Sequence, residues 1–138
     1  MARLDLYHNL VKSALQNEGW LITHDPYRMK IEDVRYEIDL GAEMLLGAEK
    51  DGEKIAVEIK SFLEQSTVHA FHTAIGQFLD YLVALEEEEP DRVLFIAVPQ
   101  AIYESFFVKR IIQKTLKRAG AKIIVFDVEN QTIVRWIR

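Results

Sequence analysis

The stretch KIAVEIKSF, residues 54–62, decides how the rest of this chain is read. Ile55, Val57 and Ile59 alternate with Ala56, Glu58 and Lys60, the period-2 pattern of a half-buried β-strand. Just before it, in EKDGE (49–53), Asp51-Gly52 gives a strong hairpin signal, so residues 45–48 and 54–61 read as its two strands. Strand geometry sets residues i and i+2 on one face. Glu58 and Lys60 therefore point the same way, while Val57 and Ile59 enter the opposite layer.

Working outward, Asp5 to Glu18 reads as a helix. Leu6, Leu10, Val11, Ala14 and Leu15 form its apolar stripe, and Gly19 supplies the stop. Trp20 to Thr23 is a short apolar run ended by HDP (24–26), and Arg35 to Leu40 looks extended. On the other side, Thr67 to Glu87 is a second helix, with Phe71, Ile75, Phe78, Leu79, Leu82 and Val83 on a broad apolar face. Arg92 to Val98 is a nearly continuous run of β-formers, as in a strand buried on both faces. Ala101 to Ala119 reads as a third helix closed by Gly120, and Lys122–Val128 and Thr132–Ile137 as two last strands around ENQ (129–131). The order is α-β-β-β-α-β-α-β-β, an α/β class with a mixed sheet flanked by helices. No repeat, linker or low-complexity segment divides it, so residues 1–138 read as one domain.

At 138 residues and 49% hydrophobic composition, the chain can build a single core. It has no cysteine, which excludes disulfides and thiolate metal sites. The start MARLDLYHNLVKSAL lacks the uninterrupted apolar run of a signal peptide, and no stretch nears the roughly 20 apolar residues of a membrane span. The expectation is a cytoplasmic protein that does not enter a membrane. Net charge is −5, which argues against broad adhesion to nucleic acid. An acidic chain can still act on DNA when its carboxylates bind divalent metal and its cations are focused locally. The run Glu86 to Glu89 reads as a solvated helix end with no chemistry.

Glu58 and Lys60 admit two readings. As a surface ion pair they contribute about 0–1 kcal/mol and nothing more. If the preceding extended segment brings Asp39 beside Glu58, the two carboxylates make an oxygen site for Mg²⁺, with lysine placed to orient water or counter negative charge. The following helix adds weight: GQFLDYL (76–82) sets Gln77 and Tyr81 four apart, and both can hydrogen-bond a phosphate, a water or a base. His69 and Thr73 extend that row backwards and read as solvent-facing.

EID (37–39), EIK (58–60) and QFLDY (77–81) resemble the D…(D/E)-x-K…Q-x-x-x-Y signature of PD-(D/E)xK nucleases, and the α-β-β-β-α-β order of residues 5–98 is similar to the restriction-endonuclease-like core. More narrowly, GWLITHDPY, IDLGAE, AVEIKSF, GQFLDYLVALEEEEPDRVLFIAVP and IIVFDVENQTIVRWI resemble the XisH family, the fdxN-element excision controlling factors of cyanobacteria. That resemblance implies programmed DNA excision beside a site-specific recombinase and a small XisI-like protein. The superfamily resemblance implies Mg²⁺- or Mn²⁺-dependent cleavage of DNA. Asp39 and Glu58 would be its metal ligands, Lys60 would sit at the water, and Gln77 and Tyr81 would orient the scissile phosphate or nucleotide. Ile38 stands where the superfamily often has proline, and the long LGAEM connection (40–44) makes Glu43 a rival to Asp39.

Other candidates are weaker. Glu18, late on the first helix, could bring a further acid, and His8 could approach from the same helix, although a partly buried, satisfied histidine accounts for it as well. His24 and Asp25 read as turn builders before Pro26, and His72 as a surface residue. Arg110, Lys114, Lys117 and Arg118 give the third helix a basic face, which suits phosphate contact and equally suits the helix dipole. The same helix has apolar area for core packing and, secondarily, for a homo-oligomer interface. The alternative to an enzyme is a non-catalytic regulatory subunit that keeps the nuclease fold and binds DNA or protein.

Overall fold

Asp51 at φ 51° and Gly52 at φ 83° both occupy the left-handed region that a type I′ turn requires. The turn joins β4 (Leu45–Lys50) to β5 (Glu53–Ile59), paired antiparallel from Leu45↔Glu58 to Lys50↔Glu53. This geometry comes from a computed structural model that describes residues 3–36, 45–63 and 65–138.

Around the hairpin lies a six-stranded sheet of order β1-β4-β5-β6-β7-β8, with β1 at Leu21–His24, β6 at Val93–Pro99, β7 at Lys122–Asp127 and β8 at Thr132–Ile137. β5, β6 and β7 run parallel, and the remaining pairings are antiparallel. At the β1 edge Gly47 faces His24, whose imidazole lies 3.0 Å from where a Cβ on Gly47 would sit. A side chain there would push β1 away. A separate hairpin, β2 (Met29–Ile31) with β3 (Val34–Tyr36), turns at Glu32 and Asp33.

Helices cover both faces. α1 (Arg3–Asn17) lays Leu10, Val11 and Leu15 against Ile55, Val57 and Ile59. The other face, which carries Ala56, Leu94 and Ile96, takes α2 (Thr67–Glu88) and α4 (Arg110–Ala119). Among the described residues no helix is long and apolar enough to cross a membrane.

The mixed α/β architecture agrees with the sequence reading, with four differences. β5 is buried on both faces because α2 covers the side that alternation marked as polar. The 29–36 hairpin and the sheet-edge strand Leu21–His24 add strands to the expected order. Leu6 on α1, and Leu79 and Val83 on α2, are exposed. The third helix is broken: a short α3 (Gln100–Ile102) passes into a π-helical turn, Tyr103–Phe107, before α4 begins. Val108 N–H bonds to the Tyr103 carbonyl at 3.1 Å, five residues back. That wider turn lets Tyr103, Phe106 and Phe107 all enter the core, which an α-helical run of neighbouring aromatics would splay by about 100° per residue.

The acidic run has a structural use that its composition concealed. The Tyr27 hydroxyl donates to the carboxylates of Glu88 and Glu89. Buried Arg92 donates through Nε to Glu89 at 2.9 Å and through Nη1 to the Ile55 carbonyl at 2.9 Å, and stacks 4.8 Å over the Tyr27 ring. The Arg92 hydrogen bond, then that from Tyr27, holds Glu89 at about 2 against an ordinary 4.5. A lowered carboxylate contributes stability above its unfolded pKa and loses it as pH falls through the folded value. Thermal melting followed from pH 7 to pH 2 should therefore show wild type falling more steeply than Glu89→Gln between about 4.5 and 2. Parallel curves would show that the Arg92 contact is not linked to folding.

Candidate functional site

Two residues before the end of its pairing with β6, the central strand carries its carboxylate. Glu58 pairs with Leu45 on one side and Ile96 on the other, and its residue exposure is 0%. The pairing continues past Ile59 through Lys60 N–H to the Ala97 carbonyl at 2.9 Å, which keeps Lys60 on the face of Glu58. Lys60 is 9% exposed, and its Nζ lies 3.4 Å from Glu58 Oε2. The surface ion-pair reading is thereby overturned. Burying such a pair is weak evidence for stability, because desolvation offsets most of the attraction.

The third member comes from α2. Ser66 caps that helix by accepting the His69 N–H at 3.1 Å, and Ala70, Ala74 and Ala84 are small enough to let it lie close over the sheet. Half-buried Gln77 then accepts a hydrogen bond from Lys60 Nζ at Oε1. One turn on, Tyr81 is buried, and burial, followed by the charges of Glu58 and Asp80, pushes its phenol pKa upward. Tyr81 stays protonated at neutral pH and is a donor beside a carboxylate. His69 and Thr73 are exposed, as expected of a solvent row. The row divides because each four-residue step turns the helix a further 40° or so, and only its C-terminal half meets the sheet.

After Lys60 the chain leaves the sheet sharply. Phe62 takes φ 56°, a left-handed conformation that a bulky residue holds at about 1–3 kcal/mol of strain. Its ring is anchored edge-on against Phe107 at 5.4 Å. Beyond the carboxyl ends of the parallel strands opens a cleft of about 640 Å³ whose lining includes Ser61, Phe62, Gln100 and Asp127, a position where open α/β sheets commonly take ligands. Sequence reasoning missed Ser61 and the Phe62 bend, which no local signal marks.

Asp39 and Glu43, the two choices for a second acid, lie outside the described residues. His8 and Glu18 belong to the α1 side of the sheet, opposite Glu58. His8 Nε2 is 2.6 Å from Asp25 Oδ1, and Lys12 Nζ is 2.7 Å from Asp25 Oδ2. Burial works against the Asp25 charge, but the Lys12 and His8 contacts outweigh it and hold that carboxyl below its usual range. Glu18 accepts from Trp136 Nε1 at 3.1 Å. Both former candidates thus have structural work elsewhere. Among the described residues no three His, Asp or Glu side chains gather as a metal cluster. Glu58 and Gln77 are hard oxygen donors beside Lys60. Arg110, Lys114, Lys117 and Arg118 are exposed on α4.

A family profile described as XisH protein matches residues 1–134. Two solved structures are similar over nearly their whole length. One is an XisH family protein from Nostoc punctiforme, 41% identical, with a TM-score of 0.87 over 96% of this chain and 98% of that one. The other is an fdxN element excision controlling factor protein from Anabaena variabilis, 44% identical, with a TM-score of 0.88 over 97% of this chain and 99% of that one. None of the curated proteins compared matches the chain.

Proposed function

The chain belongs to the XisH family, and we propose that it serves in controlled excision of a DNA element as a metal-dependent endonuclease with a PD-(D/E)xK, restriction-endonuclease-like fold. One observation carries this reading: a fully buried carboxylate on a central strand, with a lysine amine 3.4 Å away that is also held by Gln77. Five residues separate Asp39 from Leu45, the partner of Glu58, and a chain that short spans at most about 20 Å. Asp39 is therefore within reach as the second acid.

The donor set fits Mg²⁺ or Mn²⁺. Mg²⁺ takes oxygen ligands, keeps several waters and needs only one or two carboxylates, which Glu58 and Asp39 would supply. Bound there, the ion would lower the pKa of water and stabilise charge on a phosphoryl oxygen. Glu58 holds the acidic position on a strand paired on both sides. Lys60 places positive charge where phosphate charge develops or where the attacking water sits. Gln77 fixes the lysine rotamer through Oε1, and Tyr81, protonated, offers a hydroxyl donor to a substrate oxygen. A recombinase and an XisI-like protein are the proposed partners, and the cytoplasm the proposed location.

The test is plasmid and branched DNA incubated with wild type and Glu58→Ala in Mg²⁺ and Mn²⁺. Cleavage by wild type should drop about a thousandfold or more in the variant while its circular dichroism is unchanged. Intact DNA with wild type in both metals, with the XisI-like protein added, would sink the enzyme. The net charge of −5 favours the second reading, a regulatory subunit that keeps the fold and binds DNA or protein without cutting.

A further inference from the structure

The outer face of α2 is more apolar than a solvent-facing helix needs to be. Val68 is 51% exposed, Leu79 44% and Val83 58%, and a shallow groove along His72, Gly76, Leu79, Asp80 and Val83 takes in the last two. Gly76 stands in the middle of this face. A glycine in a helix interior is about 0.5–1 kcal/mol worse than alanine, so its presence asks for a reason. None comes from the described residues, where nothing beyond the helix's own backbone and the two chain neighbours lies within 4 Å of the point a Cβ would occupy.

We infer that this face pairs with the same face of a second copy, antiparallel, with a twofold axis beside Gly76. A twofold interface must be complementary to itself, and this one is. Val68 lies eight residues before Gly76 and Val83 seven after it, so an antiparallel partner sets each valine near the other copy's opposite one. The amino-terminal half carries exposed His69 and His72, and the carboxy-terminal half carries exposed Asp80 and Glu87. Antiparallel packing brings His72 of one copy beside Asp80 of the other, each four residues from Gly76, whereas parallel packing sets like groups together. Glycine at the crossing lets the helix axes approach to about 8 Å, the short end of the usual range. Gln77 adjoins the axis, so the dimer presents two Glu58–Lys60 pairs as a twofold-related set. The pairing stands on surface features alone and holds whether or not the protein cuts DNA.

Sedimentation velocity across a concentration series tests it. Wild type should be a monomer–dimer mixture with half-association below about 100 µM. Gly76→Leu should weaken dimerisation tenfold or more. The same change raises helix propensity and so raises the melting temperature at low concentration, which separates lost contact from misfolding. Asp80→Lys should weaken association by about tenfold, and adding His72→Glu should restore it. Wild type that remains a monomer at about 100 µM overturns the inference. So does a dimer unmoved by Gly76→Leu, or a monomer that uses these residues only to bind a different protein.

Discussion

Lys60→Ala is expected to lower folding stability by about 3–5 kcal/mol and to abolish metal-dependent cleavage, a larger combined effect than any other single change at the site. The stability loss follows from Glu58. Its carboxylate is fully buried, and Lys60 Nζ is its cation at 3.4 Å. Truncating the lysine takes that cation away from a buried carboxylate and also frees the Gln77 amide oxygen from its donor. The double variant Glu58→Leu/Lys60→Met should behave differently. Replacing both members of a buried pair with apolar groups of similar volume is often neutral or stabilising, so its urea midpoint should return to near that of wild type. It should nevertheless remain inactive. A site kept for stability alone would make the double variant an acceptable substitute. Recovery of the fold without recovery of cleavage marks the pair as retained for chemistry. If Lys60→Ala unfolds at the wild-type midpoint, the pair is not coupled as its burial requires and the site loses its physical basis.

How much of this was legible in the letters depends on which interactions are local. The 45–59 hairpin was, because alternation and Asp51-Gly52 act over neighbouring residues, and so was β6, whose run of β-formers has no helical period. That Glu58 and Lys60 share a face follows from strand geometry alone. Their burial does not, because Ala56, Glu58 and Lys60 look like a solvent face until α2 is laid across them. The Lys60–Gln77 contact spans 17 residues and depends on how α2 is rotated, which Ala70 and Ala74 set by packing. His8 and Glu18 illustrate the converse. Their side of the sheet is fixed by which face α1 covers, and apolar spacing on a helix cannot state that. The 29–36 hairpin was missed because Glu32-Asp33 lacks the glycine that usually announces such a turn. The π-helical turn was missed because the run through Phe106-Phe107 keeps helical periodicity to within one residue.

That turn makes Phe107 the residue on which the scaffold behind the site most depends. Phe107→Ala should cost about 3–5 kcal/mol, read as a drop in urea midpoint at constant slope. The ring is buried and meets Phe62 at 5.4 Å, Phe71 at 5.6 Å and Tyr103 at 5.9 Å, so its loss opens a cavity bounded by aromatics that cannot easily collapse. A second consequence separates it from an ordinary core deletion. Phe62 holds φ 56° two residues after Lys60, and Phe107 is the ring against which it is set. With that support gone, the strained bend can relax toward ordinary backbone and carry the end of β5 with it. Cleavage by Phe107→Ala, measured well below its melting temperature, should therefore fall by about tenfold, while Leu116→Ala, in the same core but lining a different cleft from Phe62, should lose stability without that loss. Equal activity in the two variants at matched folded fraction would mean that the bend at Phe62 is held by the backbone itself, and that the aromatic cluster supports the fold but not the position of Lys60.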